Sequence, residues 1–261
     1  MTVYAIGDIH GCEELLYDLV QQIRNDMDDG PHKLIFLGDY VDRGPDSAGV
    51  VDLIIALQKD FYGRDDVSVI ALKGNHEQMM IDFYEGGDWG SSWMMNGGVA
   101  TQNSYSDFSK GKLQLHIDWM KSRPLSHIHE KWIFVHAGIN PCVGMDEQLP
   151  QELLWIREDF LRYKGYYFGY TVVHGHTPTT YWSKSTNPDV FHSRIGIDTG
   201  AEHSGVLTAI KITKDNRFRQ GYSFIQAKDE GKYAQFYEKY VKRWEETKSG
   251  LIVPKKLDDN F

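Results

Sequence analysis

In the first third of the chain, one order of local patterns occurs three times: a short apolar run, a polar loop with glycines, and a segment with apolar residues at helical spacing. The apolar runs are residues 3–6, 34–37 and 67–72, and the helical segments begin near residues 13, 47 and 79. Apolar strands that alternate with amphipathic helices are typical of βαβ units in a buried sheet. Functional loops of such sheets lie at the carboxyl ends of the strands. We therefore expect the three polar loops to meet at one edge of a sheet.

Five further strands are predicted at residues 132–135, 170–173, 195–197, 206–212 and 218–225. No clear helical pattern separates the later strands, so antiparallel pairing is expected there. Residues 85–128 are rich in glycine and tryptophan, have a helical piece near residues 113–120, and are predicted to form a cap-like insertion over the strand ends. Residues 228–247 carry aromatic side chains on one helical face, which predicts an amphipathic helix packed on the domain.

Composition narrows the class of protein. The chain has 261 residues, of which 41% are hydrophobic, enough to form a large core and to exclude a disordered chain. We expect one domain over residues 1–261, because α/β domains of about 200–250 residues are common. The formal net charge is -9, which disfavours a general nucleic-acid binder because such a surface repels phosphate backbones.

The sequence also indicates the cellular location of the protein and the state of its cysteines. The sequence contains neither an apolar run long enough for a membrane helix nor a recognisable leader, so a cytoplasmic protein without a membrane partner is predicted. Two cysteines are too few for a disulfide framework. Both are expected to be free thiols, with Cys12 packed in the core.

The predicted strand ends carry side chains of one chemical kind: carboxylates, imidazoles and one amide. They are Asp8, His10, Asp39, Asn75, His136 and His176. Such oxygen and nitrogen donors suit borderline divalent cations, and the lack of thiolates disfavours a structural zinc or iron–sulfur site. One such residue would be unremarkable in a turn, but five such loops predict a metal centre.

The loops contain the motifs G-D-x-H-G, G-D-x-V-D-R-G, G-N-H-E, H-A-G and G-H-T, in this order. This series resembles that of the calcineurin-like metallophosphoesterases, and within them the phosphoprotein phosphatase (PPP) family, especially its small bacterial and phage lambda-type members. The resemblance runs from Tyr4 to about Leu207. It implies an α/β fold in which a β-sandwich of mixed sheets is flanked by helices, with the metal-binding loops at the carboxyl ends of the strands.

The same resemblance implies two divalent ions, expected to be manganese, with iron and zinc as alternatives. Asp8 and His10 would hold the first ion, and Asp39 would bridge both. Asn75, His136 and His176 would complete the coordination of the second ion. The nucleophile implied for the family is a hydroxide that bridges the two metals.

Four further residues match the family's catalytic positions. His76 would be the general acid for the leaving group, and Asp42 would hold its ring, although an Asx-type turn remains an alternative for Asp42. Arg43 and Arg157 would grip the phosphate oxygens, for which a guanidinium has suitable geometry. A surface salt bridge with Glu158 or with the next residue remains an alternative for Arg157.

Three other histidines are assigned no catalytic role. His174 departs from the apolar residue that the family more often has there. It is interpreted as a buried structural residue, with a contact to a metal ligand as the alternative. His127 and His129 have ligand-like spacing but lie outside every motif, so they are predicted to face solvent.

The leading hypothesis is a phosphomonoester hydrolase acting on phosphoserine and phosphothreonine in proteins, with phosphotyrosine as a further substrate. Alternatives are a symmetrical diadenosine tetraphosphatase or a small-molecule phosphoesterase. Those tetraphosphatases usually have the motif G-N-H-D where this chain has G-N-H-E, and they lack the Asp that precedes R-G in the second loop. Glu77 and Asp42 of this chain therefore favour the phosphatase. A non-catalytic scaffold is the third alternative, although it would be expected to lose ligands or the general acid. The oligomeric state is left open.

Overall fold

Two stacked five-stranded sheets carry the predicted loops. The computed structural model describes residues 1–213 and 221–229. The strands are β1 Thr2–Ile6, β2 His32–Phe36, β3 Val67–Ala71, β4 Ser126–His129, β5 Trp132–Val135, β6 Thr171–His174, β7 Asp189–Phe191, β8 Arg194–Gly196, β9 Val206–Ile212 and β10 Tyr222–Lys228. The first sheet has the order β10-β9-β1-β2-β3, and the second has the order β4-β5-β6-β8-β7.

Helices cover the outer faces of both sheets. They are α1 Glu13–Asp26, α2 Ser47–Asp60, α3 Asn75–Glu85, α4 Gly90–Trp93, α5 Gly98–Ser104, α6 Lys110–Lys121, α7 Pro150–Trp155, α8 Glu158–Leu161, α9 Thr179–Ser183 and α10 Ala201–Ser204. A short 3₁₀ turn at Met94–Asn96 follows α4. Within the described residues, no helix is long and apolar enough to cross a membrane.

Strand β1 shows why the sheets stack. Val3 and Ala5 pack into the core between the two sheets, whereas Tyr4 and Ile6 pack into the core that includes α1 and α2. Side chains of a strand alternate between its faces, so an almost wholly apolar strand can contact both layers. A third core covers the outer face of the second sheet and contains Val135 and Phe160. The predicted sandwich of mixed sheets flanked by helices is confirmed.

The predicted antiparallel pairing of the later strands is correct only in part. Strand β9 pairs antiparallel with β1 and β10. Strand β6, however, pairs parallel with both β5 and β8. The connections contain the helices α7, α8 and α9, which have only 6, 4 and 5 residues. Helices this short have too few turns to show a clear 3.6-residue period.

The segment 85–128 is more helical than expected, since it contains α4, α5 and α6. Its Trp93, Tyr105 and Met120 belong to the core that also contains α1 and α2. The predicted strand at 218–225 corresponds to β10, while residues 214–220 lie outside the described ranges. The predicted helix at 228–247 also lies outside them, except for its first two residues, and Lys228 ends β10.

Candidate metal centre

Loops from both sheets converge at one end of the sandwich. Three loops follow β1, β2 and β3 of the first sheet, and two follow β5 and β6 of the second. The predicted ligands are all buried in these loops: Asp8, His10, Asp39, Asn75, His136 and His176. Stacking of the sheets therefore brings together residues that are up to 168 positions apart in the chain.

Asp39 lies between two groups of donor atoms. Its Oδ2 is 3.5 Å from Nε2 of His10 and 3.9 Å from Nε2 of His76. Its Oδ1 is 3.4 Å from Nε2 of His136, and these two residues form the second group with His176. One carboxylate thus presents an oxygen to each group, which is the arrangement that a bridging ligand requires.

Asn75 lies next to the second group, and Asp8 contacts the backbone of the loop that carries His176. The Oδ1 atom of Asn75 is 2.8 Å from Nε2 of His136 and 2.9 Å from Nδ1 of His176. Asp8 accepts a hydrogen bond from the backbone N–H of His176, but its other oxygen is buried without a protein partner, as is Nε2 of His176. Buried polar atoms normally have partners, so these donors fit a bound cation.

Backbone contacts orient two of the histidine rings. Nδ1 of His10 is 2.8 Å from the carbonyl oxygen of Val41, and Nδ1 of His136 is 3.1 Å from that of Leu37. Both rings therefore turn Nε2 toward the centre. Burial lowers the pKa of His136, and burial together with the Arg43 charge lowers the pKa of His10 to about 3. The neutral imidazole that results is the form that binds a metal ion.

His76 and Asp42 form a buried pair beside this centre. Nδ1 of His76 is 2.6 Å from Oδ2 of Asp42, so Nε2 of the ring faces the first group. Burial raises the pKa of Asp42, and the hydrogen bonds from Thr101 and Trp93 act in the opposite direction. Asp42 thus contacts the ring nitrogen opposite Nε2, and its role in orienting His76 stays a prediction.

The two predicted arginines differ in their surroundings. Arg43 places Nη1 3.0 Å from Nε2 of His10 and Nη2 3.1 Å from Nε2 of His76. Arg157 donates from Nη1 to the hydroxyl of Thr177, at 2.9 Å. The ion pair of Glu158 is made with Arg162 instead. Arg157 therefore points toward the loop that carries His176.

Five residues of the centre have a left-handed backbone, which costs about 1–2 kcal/mol per residue for a side chain other than glycine. They are His10, Asp39, Asp42, Arg43 and His176, with φ values of 47°, 52°, 75°, 67° and 66°. Such strain persists only where surrounding contacts determine the conformation, and it concentrates at functional sites.

Two buried carboxyl groups near the centre were not among the predicted site residues. Glu202 accepts a hydrogen bond from Nη1 of Arg43 at 3.1 Å, and Oδ1 of Asp198 accepts one from the Gly200 backbone. Burial and the Glu202 charge raise the pKa of Asp198 to about 7. The letters of the I-D-T-G-A run around Asp198 alone give no role to either carboxyl group.

Among the other histidines, His174 is buried, as predicted, with its ring 4.9 Å from that of Phe160. The prediction that His127 faces solvent is wrong, because this ring is half-buried and its Nε2 lies 3.1 Å from Nζ of Lys33. Burial and the Lys33 charge lower the pKa of His127 to about 4. His129 lies two residues further along the same edge strand, β4, and is also half-buried.

Glu77 holds two of the loops together. Its carboxylate accepts hydrogen bonds from the backbone N–H groups of Asp39, Tyr40 and Gly74, at 2.8, 2.7 and 2.8 Å. The side chain is completely buried. Glu77 therefore fixes the loop of the shared carboxylate against the start of α3, which carries Asn75 and His76.

Comparison with known proteins agrees with this geometry. Residues 1–205 match the model of the calcineurin-like phosphoesterases. The chain belongs to this family, and its resemblance to the phosphoprotein phosphatases within it is confirmed. A serine/threonine phosphatase of Saccharomyces cerevisiae has a similar fold, with a TM-score of 0.61 over 88% of this chain and 80% of that chain, at 16% sequence identity.

Curated relatives carry two different functional names. The asymmetrical bis(5'-nucleosyl)-tetraphosphatase PrpE of Oceanobacillus iheyensis is 30% identical, over 81% of this chain and 89% of its own length. Serine/threonine-protein phosphatase 2 of Escherichia coli is also 30% identical, over 80% of this chain and 92% of its own length. The chain is thus a metallophosphoesterase that is equally similar to enzymes with protein and with dinucleotide substrates.

Glu77→Ala is expected to lower the free energy of unfolding by about 3 kcal/mol, because three buried backbone donors lose their acceptor. Glu77→Gln keeps one side-chain oxygen as an acceptor and should cost less. Urea unfolding of both variants and of the original chain measures the difference. A loss below about 1 kcal/mol for Glu77→Ala would contradict this role.

Proposed function

We propose that this protein is a dinuclear-metal-dependent phosphomonoester hydrolase that acts on phosphoserine and phosphothreonine in proteins, with phosphotyrosine as a further substrate. The observation that carries the proposal is the position of Asp39, which presents one oxygen to each of two donor groups. The His76–Asp42 pair lies directly beside the first group. A non-catalytic scaffold would have no need for both features.

In this proposal Asp8, His10 and Asp39 hold one divalent ion. Asp39, Asn75, His136 and His176 hold the other. The mixed oxygen and nitrogen donors suit manganese, iron or zinc, and we propose manganese. When bound, two such ions lower the pKa of a water molecule and neutralise charge on the phosphoryl oxygens.

The arginines bind the phosphoryl group of the substrate. A nitrogen lone pair holds one partner at a time. Arg43 must therefore leave Nε2 of His10 before that atom can bind a cation, and Nε2 of His76 before that atom can carry a proton. Its guanidinium is then free to donate to a substrate oxygen, while Glu202 accepts from the same Nη1 group at 3.1 Å. Arg157, next to the His176 loop, supplies a second set of donors. Planar guanidinium groups suit phosphate oxygens because they can donate two parallel hydrogen bonds.

His76 supplies the proton for the leaving group. As the oxygen of water forms its bond to phosphorus and releases one proton to solvent, the ester P–O bond breaks and its electron pair stays on the ester oxygen. Transfer of a proton from Nε2 of His76 makes the product a neutral alcohol beside inorganic phosphate. Asp42 accepts the N–H of Nδ1, which keeps Nε2 directed at the substrate. The charge of Asp39 favours the protonated ring, whereas burial acts more strongly and lowers the pKa of His76.

Hydrolysis of a dinucleoside tetraphosphate is the second candidate function. It is favoured by the relative from Oceanobacillus iheyensis, whose name is that of an asymmetrical tetraphosphatase. The same metal centre and arginines could act on a phosphoanhydride, because both reactions are in-line displacements at phosphorus. A nucleotide leaving group needs little protonation, so His76 would matter less in that reaction.

Substrate preference tests the proposal directly. Metal-stripped protein resupplied with manganese should hydrolyse a phosphoserine or phosphothreonine peptide with a higher kcat/KM than diadenosine tetraphosphate. A phosphotyrosine peptide is measured in parallel. Preference for the dinucleotide would favour the second candidate, and inactivity on all three would contradict both.

His76→Ala should reduce turnover of phosphoserine peptides by about 10²–10⁴-fold, because the alkoxide would leave without a proton. The loss on p-nitrophenyl phosphate should be smaller, since p-nitrophenolate is a good leaving group. Metal content should stay close to that of the original chain. Equal losses on both substrates would show that His76 is not the general acid.

Asp39→Asn should remove both ions together, because the shared ligand would lose its charge. Metal analysis after dialysis against dilute manganese measures the number of ions per chain. Asp52→Asn, at a half-buried carboxylate that pairs with Lys112, is the matched control and should keep full occupancy. Two ions retained per chain in Asp39→Asn would overturn the bridging role.

A further inference from the structure

The carboxylate of Asp42 is surrounded by donors from the segment 85–128. The indole Nε1 of Trp93, in α4, lies 2.9 Å from Oδ1 and 3.0 Å from Oδ2 of Asp42. The hydroxyl of Thr101, in α5, donates to Oδ1 at 2.7 Å. The Oδ2 atom of Asp42 has a second partner, Nδ1 of His76, at 2.6 Å. Each carboxylate oxygen thus has two partners, and the Asp42 side chain has one orientation that satisfies them all.

The backbone of the same loop is held as well. The N–H of Asp42 donates to the hydroxyl of Thr101 at 2.8 Å and to that of Ser47 at 3.0 Å. The N–H of Arg43 donates to the carbonyl of Gly97, at 3.4 Å. These contacts hold Asp42 at its left-handed φ of 75°. The segment 85–128, together with Ser47 and His76, therefore holds both the backbone and the side chain of Asp42.

The side chain of Trp93 is held in place by close packing. Its side chain is completely buried, and its ring lies 4.8 Å from that of Phe83 and 5.7 Å from that of Tyr84. A Cβ atom at Gly98 would lie only 2.7 Å from the indole, so glycine provides the space for the ring. A buried indole N–H needs an acceptor, and Asp42 is that acceptor.

We propose that Trp93 is a positioning residue for the general acid: through Asp42, its indole N–H sets the direction of Nε2 of His76, and Thr101 shares this role. The inference rests on the proposed function, because it assigns His76 the protonation of the leaving group. Trp93 makes no contact with substrate in this scheme. It acts on the proton transfer only by restricting the rotation of Asp42 and hence of the His76 ring.

Trp93→Phe tests the proposal, because it removes the N–H and keeps an aromatic ring in the core. Trp119→Phe is the matched control, since its indole N–H donates to Gln58 at 2.9 Å instead. Turnover of a phosphoserine peptide by Trp93→Phe should fall about tenfold with little change in KM, because the proton donor is misdirected. Turnover of p-nitrophenyl phosphate should fall less.

Thr101→Val and Thr101→Ser provide a second pair, in case Trp93→Phe is poorly folded. The valine variant removes the hydroxyl and should lose kcat on the phosphoserine peptide, whereas the serine variant should restore it. If Trp93→Phe matches Trp119→Phe on both substrates and Thr101→Val matches Thr101→Ser, the positioning role is overturned. The role is also overturned if the losses appear in KM alone.

A measurement without turnover separates this inference from the proposed function. The proton between Nδ1 of His76 and Asp42 should give a downfield NMR signal in histidine-labelled full-length protein, and His76→Ala assigns it. Trp93→Phe should shift or broaden this signal, and Trp119→Phe should not. A changed signal in a protein that hydrolyses no phosphomonoester would support the positioning role and contradict the proposed function. An unchanged signal in an active enzyme would overturn the positioning role alone.

Discussion

The burial of acidic groups at one end of the sandwich is the constraint on which the rest of the structure depends. Within the described residues, every buried carboxyl group lies at or beside the candidate metal centre. They are Asp8, Asp39, Asp42, Glu77, Asp198 and Glu202. Removing a charged carboxylate from water costs several kcal/mol unless donors or cations compensate it. The loops supply backbone N–H groups to Glu77 and Arg43 to Glu202, and two divalent ions would supply the remaining positive charge.

That constraint explains why the loops are so closely interlocked. Gly11 of the first loop and Gly44 of the second approach each other so closely that a Cβ on Gly44 would collide with the carbonyl oxygen of His10. The N–H of Gly11 donates to Tyr40, and the carbonyl of Gly11 accepts from Asp46, both at 2.9 Å. Glycine at both positions allows the close approach that places His10 beside Asp39. Strain in the left-handed residues is offset by these contacts.

The helices of residues 85–128 connect the core to the chemistry. Trp93 contributes to the core that includes α1 and α2, and its single polar atom satisfies the buried Asp42 carboxylate. In this way the packing of an indole ring and the orientation of an imidazole depend on the same side chain. A segment predicted only as a cap thus supplies part of the environment of the acid pair.

The local sequence was sufficient to predict the βαβ start and the polar loops that line the centre, because apolar runs and polar loops are local patterns. The sandwich of mixed sheets was expected only from the resemblance to the calcineurin-like phosphoesterases. The parallel pairing of β5, β6 and β8 was missed because their connecting helices have few turns. Likewise, Glu202 and Trp93 could not be recognised, since each becomes significant only through a partner more than 50 positions away. Which buried donor meets which buried carboxylate depends on the stacking of two sheets and an inserted helical segment. Only the tertiary structure decides that, because such contacts leave no periodic pattern in the chain.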